Sequence, residues 1–136
     1  MKLIQIVLVA GAIMVMSYLS AVNNVLAEDR VITLDSEVTR LAKQYAVNEK
    51  KVRRIIQCES SGKPWAVNYN LDKNKKVWST DHGYFQINDY FHKDQMEKLN
   101  LDIMNEWDNL EYGFLLISKQ GYKPWSASKK CWDIDL

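Results

Sequence analysis

The amino-acid sequence predicts an α+β domain, mainly α, with a small β-hairpin. Two stretches carry the apolar stripe of a core-facing helix, the first at i, i+3, i+4 and i+7 and the second at i, i+3 and i+4. Two short β-prone runs then flank a polar turn, and a further striped stretch follows. With 136 residues, 47% of them hydrophobic and 26% charged, and only five glycines and two prolines, the composition is that of a globular chain with room for one domain. Lys2 is the only charged residue among the first 27, so the remaining 17 basic residues face 17 acidic ones. That balance excludes a generally basic, nucleic-acid-coating surface, and no nucleic-acid partner is expected.

The N-terminus reads as an export signal. Met1-Lys2 precedes the uncharged run LIQIVLVAGAIMVMSYLSAV, and Val25 and Ala27 suit the −3 and −1 positions of a signal-peptidase site. Residues 1–27 are therefore expected to be a signal peptide cut after Ala27. The alternative is an uncleaved anchor, because about 20 apolar residues, here 3–22, are just enough to span a bilayer. Either way the body is expected outside the cytoplasm: in the periplasm, at the cell surface or in the medium.

Residues 28–34 read as a lead-in and 35–136 as the domain. Asp35 or Ser36 is placed to cap a first helix whose stripe is Val38, Leu41, Ala42 and Tyr45. Asn48 is placed to cap a second, striped by Val52, Ile55 and Ile56, and the next position of that stripe, i+7 from Val52, is Glu59. A carboxylic acid on the core side of a helix must find a cation, hold its proton, or sit at a cleft wall between apolar neighbours and solvent. The last two options describe a general acid. The other reading is a Glu at a helix end that terminates through Ser60, Ser61 and Gly62.

The hairpin is expected from Ala66 to Asn70 and from Val77 to Thr80, around a turn through Asp72, Lys73, Asn74 and Lys75. A calcium loop starting at Asp72 is excluded, since the sixth position is Val77 where Gly is needed and the twelfth is Gly83 where Glu is needed. Tyr84-Phe85-Gln86-Ile87 reads as helix-like, and a last helix from about Glu106 aligns Leu110, Phe114 and Ile117 before Gly121 stops it. No metal site is expected, because His82 and His92 lack the i, i+4 spacing with an intervening Glu. In an oxidising compartment the two cysteines, Cys58 and Cys131, are expected to pair, closing a loop of 73 positions.

Three blocks in order, Cys58-Glu59-Ser60-Ser61-Gly62, Ala66-Val67-Asn68 and Gly83-Tyr84-Phe85-Gln86-Ile87-Asn88, resemble the lytic transglycosylase (SLT-type) branch of the lysozyme-like superfamily. Asp108-Asn109-Leu110-Glu111-Tyr112-Gly113 is similar to the family's later helix, and Ser79 to Asn88 also resembles a stretch of animal-type lysozymes in which the Asp is the second catalytic carboxylate. The resemblance covers nearly all of residues 36–132. One block differs. Where the family often closes with Ala-Tyr-Asn-Ala-Gly, whose Tyr helps the site, this chain has Gly121-Tyr122-Lys123-Pro124-Trp125-Ser126.

The resemblance implies a lysozyme-like fold with the hairpin beside the catalytic helix, and a cofactor-free, monomeric enzyme acting on peptidoglycan strands. Glu59 would be the catalytic acid and base, with Asp81 as a second carboxylate. Ser60, Tyr84, Gln86, Asn88, Trp78 and Tyr122 would contact substrate; Trp65 and Trp125 are further aromatics able to stack on sugars or to fill the core. Glu59 acting alone yields a 1,6-anhydro product, whereas Asp81 acting with it yields hydrolysis. A glycan-binding module without catalysis is the expectation from another class.

Overall fold

The structure is a computed structural model and describes residues 31–134. The apolar N-terminal run and the expected cut after Ala27 lie outside the described residues. All elements below belong to one compact unit, Leu34–Leu136. It combines helices with a small antiparallel sheet, an α+β arrangement as expected.

Helix α1 spans Leu34–Gln44 and buries Val38, Leu41 and Ala42. It starts one residue before Asp35 and two before Ser36, so both expected caps fall inside the first turn, Asp35 together with Glu37, where carboxylates meet the positive end of the helix dipole. Helix α2 spans Glu49–Ser60, capped by Asn48, whose side chain accepts from the Lys51 N–H at 3.0 Å. Val52, Ile55, Ile56 and Ser60 are its buried side. Ser61, at φ 54, turns the chain left-handed and donates its N–H to Gln57 O, which ends the helix where its functional carboxyl candidate stands.

Strands β1 (Val67–Leu71) and β2 (Val77–His82) form the hairpin, with Val67 opposite His82 and Asn70 opposite Ser79. Asp72 closes its turn by accepting from the N–H groups of Asn74 and Lys76 at 2.7 and 2.9 Å. A third strand, β3 (Ile87–Asn88), pairs with β2 so that Asn88 faces Asp81.

The helix-like reading of Tyr84 to Ile87 is corrected here: the segment is a turn that enters β3. Gly83 at φ 72 and Gln86 at φ 50 are both left-handed, so no right-handed helix propagates through them. The Gln86 side chain donates to Ala66 O and Gly83 O, each at 3.0 Å, and stabilises a conformation that its own local preference disfavours. Helix α3, Asp89–Lys98, follows directly. Helix α4, Glu106–Gln120, is capped by Asn105, buries Leu110, Phe114 and Ile117 as expected, and stops at Gly121. A 3₁₀ segment, Lys123–Ser128, and a short helix α5, Lys129–Trp132, complete the chain.

Phe85 is the centre of the core. Its ring meets Phe114 edge-on at 5.9 Å and Trp125 at 5.2 Å, and it lies so close to α4 that a Cβ on Gly113 would fall 2.0 Å from Phe85 Cδ2. The turn holding Phe85 is thereby clamped between the sheet and α4.

Candidate active site

The last turn of α2, the inner face of β2 and β3, and the 3₁₀ segment enclose a cleft of ≈ 750 Å³. Of the residues singled out from sequence as site candidates, Glu59, Asp81, Gln86, Asn88 and Trp125 line it together. His92 from α3, weighed in the sequence only as a metal ligand, lines it as well, as do Lys123 and Ser128, which were not expected at the site.

Glu59 sits at the junction of core and cleft, neither exposed nor fully buried. Burial pushes its carboxyl above the ordinary glutamate range; the hydrogen bond from Ser128 opposes that push, and the charge of Asp81 adds to it. Ser128 Oγ donates to Glu59 Oε1 at 2.5 Å. The proximity of residues 69 apart in sequence follows from the disulfide between Cys58 and Cys131, whose Cα atoms lie 6.1 Å apart. One cysteine precedes Glu59 and the other follows Ser128 by three residues, so the bond draws the tail over the end of α2.

Asp81 is bound by three side-chain amides. Asn88 donates to Oδ1 at 2.7 Å, while Asn70 and Asn68 donate to Oδ2 at 3.0 and 3.4 Å. The β1–β2–β3 register causes this: Asn68 and Asn88 stand directly opposite Asp81 on either side. Asn88 also donates to Ser79 Oγ at 2.9 Å, so its amide braces the strand pair under the cleft. His92 contacts Tyr112 Oη through Nδ1 at 3.1 Å, and burial lowers its pKa, which favours the neutral ring.

The other expected contacts are placed elsewhere. Ser60 is buried and donates to Ile56 O and Tyr84 O, joining α2 to the turn. Tyr84 is buried too, with its hydroxyl 3.5 Å from Glu106 Oε2, and burial raises that hydroxyl to about 12. Tyr122 packs on Trp132 at 5.5 Å, under the Lys51 ammonium. None of the three lines the cleft.

The tryptophans divide in the same way. Trp125 is buried and donates to Phe85 O, and it also lines the cleft. Trp65, 75% exposed, borders a separate pocket with His82 and Met104. Trp78, 47% exposed, meets Tyr90 and Phe91 edge-on; Phe91 lines the cleft and Trp78 does not.

A raised carboxyl at the wall of a cleft, with a second carboxylate held by amides in the same cleft, is equipped to deliver a proton to a bound ligand and to take one back. No family model matches the chain, and no curated protein or solved structure matches it.

Proposed function

We propose that this chain is an exported peptidoglycan lytic transglycosylase of lysozyme-like type, with Glu59 as its catalytic acid and base. The observation that carries the reading is the Glu59 carboxyl, raised by burial yet open to a cleft of ≈ 750 Å³. The residue blocks around it, from Cys58 to Asn88, are those that resemble the SLT-type enzymes, and the disulfide is compatible with an oxidising compartment.

The glycan strand would lie in the cleft with the β-1,4 bond between N-acetylmuramic acid and N-acetylglucosamine beside Glu59. The protonated carboxyl gives its proton to the glycosidic oxygen as the C1–O bond breaks, and the bonding electron pair leaves with that oxygen. The resulting carboxylate then takes the proton of the muramic acid 6-hydroxyl, whose oxygen closes on C1 to give the 1,6-anhydro ring. Glu59 ends as it began, protonated, and no water is consumed. Lysozyme is the standing precedent for a carboxylic acid kept protonated by an apolar pocket.

A second reading has a specific observation in its favour. Asp81 lines the same cleft, and its charge bears on Glu59. As a second carboxylate it would support hydrolysis by a lysozyme-type muramidase. Three amide donors engage both Asp81 oxygens, which reduces their availability to attack a sugar carbon and favours the one-carboxylate route.

Digestion of purified peptidoglycan followed by mass spectrometry tests the proposal. Anhydro-muropeptides, lighter by one water than hydrolysed ones, are expected, together with loss of clearing by Glu59→Gln on the order of a thousandfold or more. Products carrying solvent ¹⁸O at the reducing end would replace the transglycosylase by the hydrolase. Glycan binding without any cleavage would leave only the binding module.

A further inference from the structure

A carboxyl that acts as acid and then as base works through one oxygen at a time, so its other oxygen must be held out of the way. Ser128 Oγ donates to Oε1 of Glu59 at 2.5 Å. Trp125 O, 3.1 Å from the same hydroxyl, offers an alternative acceptor and retains the side chain at that point. We infer that Ser128 is the positioning residue for Glu59: its hydroxyl occupies Oε1, reserves Oε2 for the proton that moves, and supports the carboxylate formed once that proton has left. The inference rests on Glu59 being the acid and base proposed above, but the contact itself does not.

The placement of Ser128 is over-determined. Trp125, three residues before it, donates Nε1–H to Phe85 O at 2.9 Å; Trp132, four residues after it, donates to Trp125 O at 2.9 Å. Cys131 is bonded to Cys58, the neighbour of Glu59. A side chain fixed by two buried indoles and a covalent bond has few other places to go, which is what a positioning role requires. The titratable groups lining the cleft with Glu59 are Asp81 from β2, His92 from α3 and Lys123 from the 3₁₀ segment. Of these only Asp81 acts on Glu59, and it favours the protonated form, whereas the Ser128 hydrogen bond favours the charged one. Removing the hydroxyl therefore leaves burial and Asp81 unopposed.

The test titrates the Glu59 carboxyl carbon by ¹³C NMR in the disulfide-bonded full-length chain, for the wild type, Ser128→Ala and Ser128→Thr. The Ala variant is expected to titrate at higher pH than the wild type, and the Thr variant, which keeps a hydroxyl, close to it. Backbone amide spectra that superimpose outside the tail establish that the fold is intact. On peptidoglycan, the alkaline limb of kcat/KM should move to higher pH in the Ala variant, and kcat should fall roughly tenfold. An unchanged Glu59 midpoint in Ser128→Ala overturns the inference even if the chain is a transglycosylase. A wild type that cleaves nothing defeats the proposed function, and the NMR midpoints still decide the role of Ser128.

Discussion

At Glu59 the demands of folding and of the proposed chemistry run in opposite directions. The stripe of α2 carries the residue toward the apolar interior, and burial there raises its carboxyl above the ordinary value, so the folded chain holds this proton more tightly than the unfolded chain does. Between the ordinary glutamate pKa and the raised one, the native state binds more protons, and the free energy of unfolding falls as pH rises through that window. Above it the penalty for a charged, half-buried carboxylate is fully present; below it both states are protonated and the penalty vanishes. Glu59→Gln removes the charge and keeps the shape. The Gln variant should therefore melt above the wild type at about pH 8, and the two should converge near pH 4. Calorimetry at both values checks this, and a Gln variant less stable than the wild type at the higher pH would contradict a raised carboxyl.

At the scale of the element, the turn from Gly83 to Gln86 decides where the cleft floor lies, and α4 holds it there through a residue with no side chain. Gly113→Ala would insert a methyl group 2.0 Å from a ring carbon of Phe85, so the ring or the helix must shift. Overpacking of this kind costs about 1–3 kcal/mol. A loss in that range is expected in urea titrations, with reduced activity because the displaced ring lines the cleft; an unchanged midpoint would mean that the turn yields freely.

The elements most legible in the sequence were those governed by local rules. Asn48 caps α2, and Leu110, Phe114 and Ile117 stripe α4, because capping and periodicity act within a few residues. Gln86 breaks the apolar run of 84–87 through bonds to Ala66 O and Gly83 O. Such a partner twenty residues away leaves no local trace. Helix α3 buries only Met96, so it has no stripe to read. The candidate site divides along the same line: Glu59 stood out as a charge on an apolar face, whereas Ser128 is joined to it only by tertiary structure.

Across the whole molecule, the disulfide is what makes residues 121–132 part of the site. It spans 73 positions, and in the chain-entropy picture closing such a loop stabilises the fold by about 4 kcal/mol, an upper figure. Without it the tail would depend on non-covalent contacts: the Trp125 and Trp132 indoles, the Ser128–Glu59 hydrogen bond, and the Lys51 ammonium over the Tyr122 and Trp132 rings. The native protein should show no labelled thiol under denaturing, non-reducing conditions. Reduction should lower the stability measured in urea by roughly 2–4 kcal/mol, and tryptophan fluorescence should report the tail loosening, since both of its indoles are buried. Coincident urea curves for the oxidised and reduced chains would refute this. They would show that these non-covalent contacts suffice to hold the tail, and with it Ser128, against the end of α2.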